Sequence, residues 1–155
     1  MPTDAVTDDE ESQQEKLTRN WNELLQELRV TQTGVQILTG FLLTVPFTDK
    51  FSALGDQQRT VYLCVLVGSV LTTCMIVAPV AFHRILFRQH EKSWLVRAAN
   101  TCARAGLALL AVVSSGVVLF VFDVVLGTTA GLVASGLVFA LFLGLWLGTP
   151  LFARK

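Results

Sequence analysis

Few residues of this chain are placed to do chemistry. Glu23 and Glu27 stand one helical turn apart with Arg29 close behind, His83 and His90 stand seven residues apart in a basic stretch, and Asp123 is the only charge in the apolar run Ala105–Ala153. Paired carboxylates can serve acid–base work, and His/carboxylate clusters can hold a metal. Here the two histidines lack a third ligand at ordinary spacing, so no metal site is expected. The chain has no HExxH, no CxxC and no Gly-rich phosphate loop, and no Ser-His-Asp set within reach in a wet cleft. We therefore expect no enzyme, no catalytic residue and no cofactor.

Two of these features read in more than one way. Asp123 lies four residues before Gly127, where a wetted carboxylate can cap a turn, yet a carboxylate inside a span is also a candidate ion or proton site. His83, Arg84, Arg88, His90, Lys92 and Arg97 form a basic 83–97 loop flanked by Phe82, Phe87 and Trp94. Such a segment suits an interface, with cations on anionic lipid head groups and aromatic anchors beside them. The histidines could instead sense protons.

The remaining polar residues fall in a line. At 100° per residue, Asn22, Gln26, Arg29, Thr33, Gln36, Gly40 and Thr44 share one side of a helix, with Leu24, Leu28, Val35, Leu38 and Leu42 opposite. The line passes from a charged stretch into an apolar one without a Gly/Pro break. This predicts one long helix whose first part stands in water and whose second part enters a membrane. Ser12 and Glu15 fit a capping box at its start, and Pro46 suits its end. The acidic residues 1–11 are expected to be a disordered tail. That acidic lead-in and the lack of an A-x-A-like site argue against a cleaved signal peptide.

The elements that must carry these residues are read from charge spacing. Val30–Thr48 and Val61–Phe82 hold no charge, and Ala105–Ala153 holds only Asp123. A span needs about 20 apolar residues. The last run would be about 74 Å long as one helix, so it must fold back, at Gly127-Thr128-Thr129. With 52% hydrophobic and 15% charged residues, the chain reads as an all-α membrane protein. We expect a four-transmembrane-helix bundle over 12–155 with a long first helix projecting into the cytoplasm, its spans near 30–47, 61–82, 105–126 and 129–149. Of 12 Lys and Arg, only Lys50 and Arg59 fall on the far side of that layout. The positive-inside rule then puts both termini in the cytoplasm of a cell-membrane protein. The formal net charge is zero, which gives nucleic-acid binding no electrostatic support.

Within the spans, Gly136, Ala140, Gly144 and Gly148 set a small residue at every fourth position, a helix-packing face whose partner is in this chain or in a second copy. Cys64, Cys74 and Cys102 read as small buried apolar residues without a disulfide. Arg97, Asn100 and Arg104 share a face from which the arginines can snorkel or reach Glu23 and Glu27.

The run NELLQELRVTQTGVQILTGFLLTVPF (Asn22 to Phe47), with APVAFHRILF (Ala78 to Phe87), resembles a family of small actinobacterial membrane proteins of unknown function. Some members are labelled sodium:proton antiporter. The resemblance implies a multi-pass inner-membrane protein with a long first helix. Two functions follow as expectations. One is a structural or interaction protein, a homo-oligomer or bound to a membrane-protein partner through Glu23, Glu27 and Arg29. The other is an oligomeric cation or proton transporter or channel with Thr33 and Gln36 on its path and Asp123 at its mouth.

Overall fold

A computed structural model describes residues 3–86 and 92–148. Helix α1 spans Thr3–Thr44, α2 spans Asp56–Leu86, α3 spans Lys92–Leu126 and α4 spans Thr128–Leu143, the last running into a π-helical turn at Gly144–Gly148. No strand occurs among the described residues. Four stretches are long and apolar enough to cross a membrane, Leu25–Phe47, Asp56–Phe82, Arg97–Leu126 and Thr128–Trp146. Their number is the four expected from charge spacing, and the first three begin earlier than the uncharged runs, taking in Glu27, Arg29, Asp56, Arg59, Arg97 and Arg104.

α1 begins at Thr3, ahead of the Ser12 cap expected from sequence, so residues 3–11, expected as a disordered tail, are helical. Acidic residues at a helix N-terminus oppose the macrodipole favourably. At 1.5 Å per residue, the part of α1 ahead of Leu25 reaches about 33 Å beyond the span.

The helices pack in chain order. α2 and α3 form the central antiparallel pair, α1 lies mainly on α2, and α4 lies on α3. α1 and α4 do not touch among the described residues. The α2–α3 pair is set by three close glycines. A methyl at Gly116 would stand 2.7 Å from Val65 Cγ2, one at Gly68 2.8 Å from Val113 Cγ2, and one at Gly106 2.9 Å from Ile76 Cγ1. These pairs step in opposite directions along the two helices and fix their register. Lipid offers no water-exclusion force between helices, so close packing of this kind carries the association.

Apolar clusters occupy both ends of the interface. Leu42, Tyr62, Val65, Val113 and Phe120 form one, and Leu28, Val35, Ile76 and Ala103 form the other. Between them lie buried Ser69 and Thr72 on α2, while buried Ser115 on α3 stands at the level of the first cluster, between Val113 and Phe120. Each hydroxyl donates to a carbonyl of its own helix, Ser69 to Leu66, Thr72 to Gly68 and Ser115 to Ala111, all at 2.8 Å. These small polar positions thus leave no hydroxyl unmet. Pro79 is fully buried inside α2. Cys64 and Cys74 are exposed and Cys102 is half-buried, all as free thiols, so the expectation of buried cysteines fails for the first two.

Candidate functional site

Only one face of α1 packs on the rest of the chain. Leu28, Val35 and Leu42 are buried. Their seven-residue spacing keeps them on one side of the helix. The polar line is turned outward: Gln26, Arg29, Thr33, Gln36, Gly40 and Thr44 are all exposed. A methyl at Gly40 would meet no atom within 4 Å.

The hydroxyls of this line are internally satisfied. Thr33 donates to the Arg29 carbonyl at 3.0 Å, Thr44 to that of Phe41 at 2.7 Å, and the neighbouring Thr31 to that of Glu27 at 3.0 Å. Gln36 differs. Its amide has no hydrogen-bond partner among the described residues. It lies about 16 Å from Phe47 along the axis, half the thickness of a hydrocarbon core of about 30 Å. An amide left unpaired in such a medium costs about 1–3 kcal/mol. The chain therefore carries an unmet donor and acceptor at mid-span, on a face that nothing among the described residues covers.

Around the start of the span, at Leu25, the same helix presents its charges. Arg19 Nε lies 3.9 Å from Glu23 Oε1, with both side chains mostly exposed. Glu23, Gln26, Glu27, Val30 and Thr31 line a shallow open depression of about 560 Å³. Arg19–Glu23 is the only ion pair among the described residues. The contact between Glu23 or Glu27 and the arginines of α3, open from sequence, is not made: Arg97 and Arg104 are exposed. Arg84 is exposed near the end of α2. The side chains of Asn22 and His83, and all of Arg88 and His90, lie outside the described residues.

Asp123 sits on α3 beside the turn to α4 and is half-buried. Its backbone carbonyl accepts the Gly127 N–H at 3.1 Å, while the cap of α4 makes no side-chain hydrogen bond. The backbone and not the carboxylate closes this turn. Gly127 has φ 94°, a conformation that a Cβ disfavours. One turn into α4, a methyl at Gly131 would lie 2.9 Å from the Leu119 carbonyl oxygen and 3.3 Å from Asp123 Cβ.

The small-residue stripe of α4, whose partner the sequence left open between this chain and a second copy, meets no helix among the described residues. Gly136, Gly144 and Gly148 have no atom within 4 Å of an added methyl, and Ala140 is exposed. α3 lies against Gly131 instead, and the stripe looks away from the described residues.

Sequence reasoning missed Tyr62. Its hydroxyl donates to the Leu42 carbonyl at 2.9 Å in a buried setting. Its ring packs edge-on to Phe51 at 5.4 Å and tilted to Phe120 at 5.8 Å. The signal was present in the single tyrosine of the chain and in Pro46, four residues after Leu42.

Residues 10–150 match the model of a family described as a family of unknown function, DUF6328. The chain belongs to that family. No curated protein and no solved structure matches it. The match covers most of the α1 lead-in and all four apolar helices. It agrees with the family of unknown function to which Asn22–Phe47 and Ala78–Phe87 pointed.

Proposed function

We propose that this member of the family is a structural or interaction protein of the cell membrane, with no catalytic activity of its own, that assembles through the outward face of α1. The observation that carries the reading is the exposed, unpartnered Gln36 amide at mid-span. A primary amide carries both donor and acceptor. Two copies related by a two-fold axis can therefore satisfy each other's Gln36 with the same residue. Open Gly40, one turn further on, lets the second backbone come close. A single buried polar residue of this kind also selects register and partner number. Glu23, Glu27 and Arg29, around the start of the span, would extend the contact toward water on the cytoplasmic side, the side that the positive-inside rule assigns. There the basic 83–97 loop would rest on anionic lipid head groups.

Cysteine scanning of α1 in a variant without Cys64, Cys74 and Cys102 tests this. Thr33→Cys, Gln36→Cys and Gly40→Cys should cross-link between copies in membranes, and Ile37→Cys, on the flank, should not. Uniform cross-linking, or none, would contradict a specific seam. Cross-linking to a different membrane protein would keep the seam and replace the partner.

A second reading, oligomeric sodium:proton-like transport, draws on the half-buried Asp123. Within one chain Asp123 stands on α3 at the α4 turn, while Thr33 and Gln36 face away from the other described helices. A path joining Asp123 to Thr33 and Gln36 would have to cross between copies. Cation-dependent proton flux into proteoliposomes, lost in Asp123→Asn, would establish it. Flux equal to empty liposomes would remove it.

A further inference from the structure

α3 and α4 touch closely at their turn, where Gly131 lies against Leu119. Further along, a groove of about 650 Å³ opens between them. Ala108 and Ala111 are among the α3 residues lining it, and Phe139, Phe142 and Trp146 are among those from α4. Phe142 and Trp146 stack edge-on with centroids 5.0 Å apart, which stiffens that side. The volume falls within the roughly 300–1,000 Å³ of small-ligand sites. Among the described residues, Arg104 is the one cation lining the groove, and no carboxylate lines it.

The depth of that cation decides what fits. Leu126 ends the third span, and Arg104 lies about 33 Å away along the helix axis. Given a hydrocarbon core of about 30 Å, the guanidinium stands at the opposite boundary, where lipid phosphates lie. Trp146 ends the fourth span, a position where indole rings favour the interface. From Arg104 the groove descends along α3 to Val112, about 12 Å into the hydrocarbon. Arg104 is exposed and has no acidic partner among the described residues. Arg97 is exposed two turns above it on the same face.

We propose that the α3–α4 groove is a binding site for one anionic phospholipid, with an acyl chain along Ala108 and Ala111 and the phosphate on Arg104. A helix from a second copy is the poorer occupant. It would press an unpaired guanidinium against apolar side chains, whereas a lipid brings its own counter-charge to that depth. The site rests on the membrane-spanning architecture and is separate from the α1 seam.

Native mass spectrometry of the detergent-purified chain, titrated with phosphatidylglycerol or with phosphatidylcholine, tests it. The wild type should retain one phosphatidylglycerol about fivefold more tightly than phosphatidylcholine, the preference expected of a single basic residue near the surface. Arg104→Gln should abolish the preference, and Arg104→Lys should keep most of it. Ala108→Phe, which fills the groove, should lose both lipids while far-UV circular dichroism stays helical. Equal retention of the two lipids by the wild type would overturn the proposal, and so would an unchanged preference in Arg104→Gln. If Ala108→Phe leaves lipid retention intact but shifts the dimer–monomer ratio, the groove belongs to a second copy. Loss of α1 cross-linking alone would leave the lipid site standing.

Discussion

The Tyr62 hydroxyl donates to the Leu42 carbonyl at 2.9 Å, across the contact between α2 and α1. In an unbroken helix that carbonyl would accept from the N–H of residue 46, but residue 46 is proline and has none. Pro46 ends α1 and α2 supplies the missing donor. A long-range bond thus replaces a local one at the point where the chain leaves the first span.

Tyr62→Phe should leave the Leu42 carbonyl unmet at a buried position and cost about 1–3 kcal/mol. Its effect should shrink in a Pro46→Ala background, where an N–H returns at residue 46. A double-mutant cycle in a reversible detergent unfolding assay measures the coupling. Additive effects would sever the link between Tyr62 and Pro46.

Two glycines on α4 should behave oppositely. Gly131→Ala places a methyl 2.9 Å from the Leu119 carbonyl. Backbone cannot yield as a side-chain tip can, so a loss of about 1–3 kcal/mol is expected. Gly136→Ala meets nothing within 4 Å and should be neutral or gain up to about 1 kcal/mol in helix propensity. Thermal unfolding of both variants in the same detergent gives the comparison.

The α2–α3 register predicts a rescue. Gly116→Ala drives a methyl toward Val65 Cγ2 at 2.7 Å and should destabilise by about 1–3 kcal/mol. Adding Val65→Ala removes the obstructing atom, so the double variant should be more stable than the sum of the two single losses predicts. The same unfolding assay reads this non-additivity.

By contrast, the Arg19–Glu23 pair should matter little to folding. At 3.9 Å, with side chains 72% and 65% exposed, it should contribute no more than about 0.5 kcal/mol. Arg19→Ala and Glu23→Ala should unfold within that margin of the wild type. A larger loss in Glu23→Ala, seen only at assembling concentrations, would mark Glu23 as part of the interface.

How much was legible in the sequence follows from where polarity contrasts with its surroundings. The α1 line was readable because Arg29, Thr33 and Gln36 differ sharply from Leu28 and Val35, and the 3.6-residue period sorted them onto opposite faces. The four spans were countable because each holds a long run with little or no charge. Inside the spans the contrast vanishes. A leucine facing lipid and one facing protein are equally apolar, so hydropathy could not tell that Gly131 is the close contact while Gly136, Ala140, Gly144 and Gly148 look outward. The exposed Cys64 and Cys74 were misread for the same reason. Tyr62 was hidden differently: its role depends on which turn of α2 stands beside Leu42, a tertiary fact. The α3–α4 groove likewise exists only because the two helices part beyond Gly131.

The central claim is that the chain self-associates through the outward face of α1. Its most direct test is fluorescence energy transfer between labelled copies in liposomes over a range of protein-to-lipid ratios, with wild type beside Gln36→Leu. The wild type should associate reversibly, and Gln36→Leu should weaken association by about 0.6–2 kcal/mol per amide lost, roughly threefold to thirtyfold. A wild type that stays monomeric at every ratio, or a Gln36→Leu variant that associates equally well, would contradict it.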